Sequence, residues 1–176
     1  MPRAWLVSGC LALTACSPAL NWREVRLEPS ALVALLPCKP DQGTRTVSLG
    51  GQPLSMHMMG CEADSATFAV SYVDVPNATQ AGAVQTQWKI AMLGNMRATQ
   101  NRESPFNIKG VADASGAELV QAQVQVQAQG LQPDGRAVAA QGVWFTRGTQ
   151  VFHAVVYASQ INSDAADAFF TGLRFQ

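Results

Sequence analysis

The chain of 176 residues is poor in charge and in the residue types that build catalytic centres. Charged residues make up 14% of it, basic and acidic side chains balance at twelve each, and only two histidines are present. The lysines and arginines stand singly, without a basic run or a basic helix face. Because proteins neutralise nucleic-acid phosphates with clustered cations, this pattern disfavours binding to nucleic acid.

Sequence patterns typical of catalytic and metal centres are also missing. There is no Gly-x-Ser-x-Gly, no His-Glu-x-x-His and no phosphate-binding glycine loop. The four cysteines form no Cys-x-x-Cys motif, and neither histidine has zinc-ligand spacing to a cysteine. After the first residues, no segment has the 18 or so consecutive apolar residues of a transmembrane helix. We therefore expect a protein that is not an enzyme and has no cofactor.

Residues 1–15 have the composition of a cleaved export signal. Arg3 precedes an apolar run that is too short to span a bilayer, and the small residues Thr14 and Ala15 follow that run. A charged start, an apolar middle of about 7–15 residues and small residues at the exit are typical of such signals. The alternative is an ordinary buried strand or helix at the N-terminus.

The stretch Leu13-Thr14-Ala15-Cys16 resembles the lipobox of bacterial lipoproteins. In that family the chain is cut just before the cysteine and the cysteine is acylated, so the resemblance implies a lipid anchor on Cys16. Two kinds of acyl group give stable anchoring where one chain is marginal. The implied organisation is a signal peptide at 1–15, a lipidated tether at 16–21 and a single domain at 22–176.

Ser17 follows the cysteine, at a position where lipoproteins retained in the inner membrane often have Asp. By that family rule the protein is expected at the outer membrane, on its periplasmic face. This compartment is oxidising, and Cys38 and Cys61 are the two cysteines that remain once Cys10 is removed and Cys16 is modified. We predict a structural disulfide between them, the alternative being two free buried thiols.

The hydrophobic pattern predicts an α+β domain, an antiparallel β-sheet flanked by one long helix and a short C-terminal helix. Residues 41–43 are predicted to form a turn, and Gly50-Gly51 a hairpin. The segment 98–117 is predicted to be a loop with room for a short strand near Ile108. Strands are predicted at 22–27, 44–49, 53–59, 66–75, 119–129, 137–146, 151–158 and 173–175, and helices at 77–97 and 164–171. A short apolar run at 31–36 ends at Pro37, where regular structure cannot continue.

Four local phrases follow one another along the chain: LPCKP at 36–40, FAVSYVDVP at 68–76, GTQVFHAVV at 148–156 and AADAFFTGLRF at 165–175. In this order they resemble the PsbP-like superfamily, which includes an extrinsic photosystem subunit and small bacterial lipoproteins. The resemblance implies an α/β/α sandwich around a central antiparallel sheet, and it supplies no catalytic residues.

Met56-His57-Met58-Met59 is the most suggestive cluster for a metal, since thioethers and imidazole suit Cu(I). In a strand, however, Met56 and Met58 point to one face while His57 and Met59 point to the other. A single copper ion could not easily take all four. Packing within the sheet is therefore the favoured interpretation, with Met56, His57 and Met58 kept as weak metal candidates.

Three other polar residues are candidates for a site. Glu62 and Asp64 would lie on the same face of a strand. They stand next to Gly60 and Ala63 in a predicted turn, however, which favours a solvated pair. His153 lies in an apolar strand on the side of Val151 and Val155 and is expected to be a partly buried, hydrogen-bonded histidine. A catalytic base at this position is the less favoured alternative.

The segment 119–129 alternates strictly between apolar residues and glutamines. Its apolar members, Val120, Ala122, Val124, Val126 and Ala128, are expected to pack beneath the long helix with Trp88 among their neighbours. The opposite face is then a row of uncharged amides, which is unusual for a solvated surface. It is either a plain polar face or a docking surface for a protein partner, built from Gln121, Gln123, Gln125 and Gln127.

These patterns together favour a non-enzymatic, outer-membrane-anchored periplasmic lipoprotein that acts as a binding or assembly-accessory module. Its expected contacts are the membrane, through the lipid on Cys16, and an envelope protein. The alternative is a periplasmic copper-binding protein or a small hydrolase that uses His57 or His153.

Overall fold

The structure is a computed structural model in which residues 20–108 and 121–176 are described, with the side chains of 121–124 excepted. The predicted signal segment, Cys16, Ser17 and the stretch 109–120 lie outside the described residues. The helices and strands, in chain order, are β1 (Arg23–Arg26), β2 (Leu32–Leu36), β3 (Asp41–Leu49), β4 (Gln52–Ala63), β5 (Ala66–Asp74), α1 (Ala81–Asn95), β6 (Gln100–Pro105), β7 (Gln121–Leu131), β8 (Ala137–Arg147), β9 (Gln150–Ala158), α2 (Ser163–Thr171) and β10 (Arg174–Phe175).

The predicted α+β class is confirmed, with antiparallel sheets, one long helix and one short C-terminal helix. The large sheet has seven strands in the order β3-β4-β5-β9-β8-β7-β6, and a small sheet has the order β1-β2-β10. The side chains of α1 pack on one face of the large sheet, while α2 and the small sheet pack on the other. The small second sheet was not predicted, although the edge strand at 173–175 was.

Two hydrophobic cores lie on the two faces of the large sheet because its central strands alternate. Along β5, Val70 and Tyr72 enter the core beside α2, whereas Val73 enters the core beneath α1. On β9, Phe152 and Val155 divide between the two cores in the same way. Alternation of this kind follows from the two-residue period of a strand.

The hairpin of β3 and β4 is longer than expected. Gly50 and Gly51 form its turn with φ of 67° and 74°, as a tight hairpin turn requires. The prediction of a turn at residues 41–43 was wrong, because β4 runs on to Ala63 and its last residues pair with the start of β3, Asp41 opposite Gly60. The chain instead turns after β4, at Asp64 and Ser65.

The two helices begin differently. A 3₁₀ turn at Ala78–Gln80 precedes α1, and the Asn77 side chain makes no capping hydrogen bond, so α1 is shorter than the predicted helix at 77–97. The Asn162 side chain, by contrast, accepts from the backbone N–H groups of Asp164 and Ala165 at 3.1 and 3.2 Å and so caps α2. No helix in the described part of the chain is long and apolar enough to cross a membrane.

The path of α1 across the large sheet is diagonal. Near its start, Val84 lies against the β3–β4 turn, where a Cβ on Gly50 would be 3.2 Å away. Farther along, Lys89 forms an ion pair of 2.7 Å with Glu103 on β6. Just past its end, the carbonyl oxygen of Met96 accepts from the backbone N–H of Leu131 on β7 at 2.7 Å. The second half of α1 therefore lies over the β6–β9 side of the sheet.

The segment predicted as a loop at 98–117 contains the strand β6. All six of its residues are exposed, and it pairs with β7 at the edge of the large sheet. Ile108, where a short strand was expected, lies outside any strand and is buried in the core beside α2. The strand was missed because an exposed edge strand has no apolar alternation to reveal it.

Candidate functional site

A cleft of about 940 Å³ lies between the second half of α1 and the sheet face formed by β3, β4 and β5. It opens because α1 crosses toward β7 and leaves this half of the face uncovered. Its volume is in the upper part of the ~300–1,000 Å³ range of small-molecule sites. The cleft is therefore a candidate ligand site.

The floor of the cleft is low because its side chains are small. Gly43 on β3 pairs with Met58 on β4, which pairs with Ser71 on β5. The next row along the sheet includes Gly60 and Ala69, which also line the cleft. Cross-strand partners share a face, so these residues meet beneath α1 although they are far apart in sequence.

Methionines form much of the cleft wall. Met56 on β4 and Met92 on α1 are each 5% exposed, and Met96 is 6% exposed. Met58 is partly buried against the same core. Unbranched thioether side chains adapt their shape to irregular partners, and they are frequent at binding surfaces that accept several of them.

His153 lines the cleft and is held between aromatic rings. Its ring stacks on Trp144 at 4.2 Å and 14°, and it meets Trp88 edge-on at 5.4 Å. Burial lowers the pKa of His153 to about 3, so the ring is neutral at pH 7. It shares the face of Val151 and Val155, as predicted.

The expected hydrogen bond of His153 is not found at Nε2, which has no partner among the described residues, and the residue is buried rather than partly buried. The reason is that the aromatic neighbours Trp88 and Trp144 enclose the ring with π-faces and not with hydrogen-bonding groups. A catalytic base is itself the proton acceptor, and a second group holds it in the correct orientation. No described residue forms a hydrogen bond with Nε2 that could orient it in this way.

The alternation predicted for the methionine–histidine cluster is confirmed. Met56 and Met58 face α1, while Met59 enters the core beside α2. His57 also lies on that second face, where it stacks on Tyr72 at 4.8 Å and its Nδ1 lies 3.2 Å from Oγ1 of Thr44. These residues do not converge on one metal ion.

Carboxylates, histidines and cysteines form no metal-binding group of three or more anywhere in the described ranges. Glu62 is exposed near the end of β4. Asp64 is exposed in the following turn, with φ of 50°. Both positions agree with the interpretation of a solvated pair.

The predicted pairing of Cys38 and Cys61 is confirmed by geometry. Their Sγ atoms lie 1.99 Å apart and their Cα atoms 6.0 Å apart. The bond joins the segment that precedes β3 to the last part of β4. It therefore stabilises the end of the β3–β4 hairpin next to the cleft.

The glutamine strand is oriented as predicted where its side chains are described. Val126 and Ala128 are buried in the core beneath α1, and Trp88 belongs to the same core. Gln127 is exposed and Gln125 is half-buried on the opposite face. The remaining members, Gln121 and Gln123 with Val120, Ala122 and Val124, lie outside the residues whose side chains are described.

The cleft itself was missed by reasoning from the sequence. Its floor joins small residues of three strands, and no single segment contains enough of them to form a motif. The one available signal was the repeated placement of methionine on the faces that meet, at Met56 and Met58 and at Met92 and Met96. Comparison of the chain with protein-family models and with curated proteins finds no match.

Proposed function

We propose that the chain is a non-enzymatic binding lipoprotein of the bacterial envelope, and that the cleft beneath α1 is its binding site. In this proposal Cys16 carries the lipid and holds the domain on the periplasmic face of the outer membrane. The observation that carries the proposal is the cleft of about 940 Å³, which is lined by Met56, Met58, Met92 and Met96.

The chemistry of the lining supports binding rather than catalysis. His153 is neutral at pH 7 because burial lowers its pKa to about 3. In the described part of the chain, its Nε2 meets no carboxylate or hydroxyl that could orient it as a base. His57 lies on the opposite face of the sheet, so the two histidines cannot share a site.

The last two residues of the proposed tether, Leu20 and Asn21, lie against the domain, which supports anchoring close to the membrane. The backbone N–H of Asn21 donates to the carbonyl oxygen of Pro37 at 2.7 Å, and Leu20 packs against the core beside α2. Leu20, four residues after Cys16, already contacts the domain, so a lipid on Cys16 would hold the domain close to the membrane surface. The bond between Cys38 and Cys61 suits an oxidising compartment.

The proposal includes a PsbP-like fold. The antiparallel sheet between two helices suits it, and the phrases 68–76 and 148–156 fall mainly on the adjacent central strands β5 and β9. The phrase 165–175 covers most of α2 together with β10. The glutamine face of β7 stays a prediction as a docking surface for an envelope protein.

The anchoring part of the proposal is tested by the mass of the protein purified from bacterial envelopes. The intact mass should show the loss of residues 1–15 and the addition of diacylglycerol, and Cys16→Ser should release the protein from the membrane fraction. A soluble, full-length and unmodified product would contradict the proposal.

The binding part is tested with a neutral fluorescent probe, N-phenyl-1-naphthylamine, which brightens in apolar sites. The full chain should bind it, and Gly43→Phe should weaken the binding. A Cβ on Gly43 would meet no atom within 4 Å, so the ring has room to fill the cleft without distorting the strand. Gly82→Phe is the matched control, because Gly82 is equally open but lies outside the cleft.

Cu(I) binding is a second candidate, favoured by the convergence of several thioethers and one imidazole on the same cleft. A competition with bicinchoninate decides it. Transfer of Cu(I) to the wild-type protein, with loss of transfer in the Met56→Leu/Met58→Leu double variant, would support a copper site. Retention of all Cu(I) by bicinchoninate would exclude it.

A further inference from the structure

We propose that the ligand of the cleft is a long-chain fatty acid, with its acyl chain against the methionines and its carboxylate at Arg45. This inference rests on the proposed role of the cleft as a binding site. It does not depend on the lipidation of Cys16, so the two can fail separately.

Arg45 provides the cation for the carboxylate. It lies on β3 directly opposite Met56, so its side chain leaves the sheet on the face of the cleft. It is exposed at the rim, and no carboxylate of the described residues forms an ion pair with it within 4.0 Å. An arginine in this state can bind a carboxylate through two parallel hydrogen bonds.

Asp41 is the other charged side chain in the described lining of the cleft. It lies on the same face of β3, four residues from Arg45, which places the two about 13 Å apart along the strand. Asp41 therefore does not neutralise Arg45. Its charge disfavours a second anionic group at its own end of the cleft, which argues for a ligand with a single anionic head.

The interior between these charges suits an acyl chain. From Arg45 the floor continues over Gly43 and Met58 to Ser71 and then His153 on β9. These four strands cover about 14 Å across the sheet. The His153 ring is uncharged at pH 7, since burial lowers its pKa to about 3. The floor thus offers a charged group no partner, but it offers a flexible apolar chain a continuous surface.

The shape of the wall agrees with this ligand class. Met92, on α1, and Met96, just past its end, lie four residues apart and face the same space as Met56 from the sheet. A wall of unbranched side chains can close around a bent chain of varying length. A rigid, polar ligand would need fixed hydrogen-bonding groups, and the described interior has few of them.

The experiment displaces N-phenyl-1-naphthylamine from the full chain carrying Cys16→Ser, which has no acyl group of its own. Laurate is compared with monolaurin, which has the same acyl chain and an uncharged glycerol head. Laurate should displace the probe at lower concentration than monolaurin. Arg45→Gln should weaken laurate by about tenfold or more, since a charge-assisted hydrogen bond is lost, and should leave monolaurin unchanged.

Two control variants separate recognition of the carboxylate head group from recognition of the acyl chain. Gly43→Phe should weaken laurate and monolaurin alike, because it fills the space of the acyl chain. Arg102→Gln should change neither, because Arg102 is an exposed arginine on β6 that lies outside the cleft. Circular dichroism of each variant establishes that it is folded.

Six outcomes decide the inference. The expected pattern supports it, whereas equal binding of laurate and monolaurin, or an Arg45→Gln variant that binds laurate like the wild type, would overturn it. If the probe binds but neither lipid displaces it, the fatty-acid inference is wrong and the proposed binding function stands. If the probe itself does not bind, both the inference and the proposed binding function are wrong. If laurate binds the Cys16→Ser protein but not the lipidated one, the occupant is the chain's own anchor and the inference is wrong.

Discussion

Nε2 of His153 and Nε1 of Trp144 are buried ring nitrogens without a hydrogen-bond partner in the described part of the chain. Leaving a buried polar group unpaired costs about 1–3 kcal/mol. The two rings stack on each other, and Trp88 closes over His153. The local structure therefore depends on the shape and π-faces of these rings rather than on their hydrogen bonds.

The stability of the protein should fall as the pH drops below the ordinary pKa of histidine. Burial lowers the pKa of His153 from 6.5 to about 3, so between these values the unfolded chain binds a proton that the folded chain does not. The unfolding free energy should fall by about 1.4 kcal/mol per pH unit from this residue. Above pH 6.5, His153 is mostly neutral in both the folded and the unfolded chain, so it no longer makes the unfolding free energy depend on pH. Urea unfolding followed by tryptophan fluorescence between pH 7 and pH 4 measures the slope.

The matched comparison for this prediction is His153→Phe, which keeps an aromatic ring in place and removes the titrating group. Its profile should be flatter than that of the wild type by the slope given above. His57→Phe changes the histidine on the opposite face and should retain the His153 contribution. Parallel profiles for the wild type and His153→Phe would show that His153 is accessible to protons in the folded state.

At the scale of elements, the end of α1 and the strand β7 approach each other too closely for any side chain at Gly130. A Cβ there would overlap the carbonyl oxygen of Met96, which is backbone and cannot move aside. Gly130→Ala should therefore destabilise the protein by about 1–3 kcal/mol. The midpoint of thermal or urea unfolding measures the change.

Gly94→Ala is the control for Gly130→Ala. Gly94 lies within α1, and a Cβ there would meet no atom within 4 Å. Because alanine is the better helix former, this variant should be more stable than the wild type by about 0.8–1 kcal/mol. If both variants are destabilised equally, the contact between α1 and β7 is not the cause.

Burial patterns within a single strand could be predicted from the sequence, whereas contacts that depend on the path of a helix could not. Strands such as β5 and β9 were predicted because alternating burial is written into neighbouring residues, and so was the face that places Val126 and Ala128 beneath Trp88. The strand β6 is exposed throughout and leaves no such pattern. The close approach of Gly130 to Met96 depends on the path of the whole helix.

The candidate site was harder to predict for a related reason. The sequence correctly placed Met56 and Met58 on one face and His57 on the other. It could not show that α1 leaves this face half-covered, because that depends on contacts such as Lys89 with Glu103 and Val84 with the β3–β4 turn. The cleft follows from the position of a helix relative to a sheet, which local periodicity does not specify.

At the scale of the whole molecule, the bond between Cys38 and Cys61 closes a loop with a sequence separation of 23 residues. In the chain-entropy model a loop of this size contributes about 3 kcal/mol to stability. The Cys38→Ser/Cys61→Ser double variant should lose about that amount in a urea titration. Alkylation without reductant, followed by mass spectrometry, should label neither cysteine in the wild-type protein. Two labelled thiols in protein taken from the envelope would contradict the bond.

The small sheet has a consequence for the order in which the protein can fold. Its middle strand β2 pairs on one side with β1 and on the other with β10, Leu32 lying opposite Phe175. Contacts between such distant parts of a chain form slowly. If the chain is exported from its N-terminus, this sheet cannot close until residue 175 has crossed the membrane. Until then β2 would lack its pairing with β10, so the small sheet would form only after the C-terminal residues have reached the far side of the membrane.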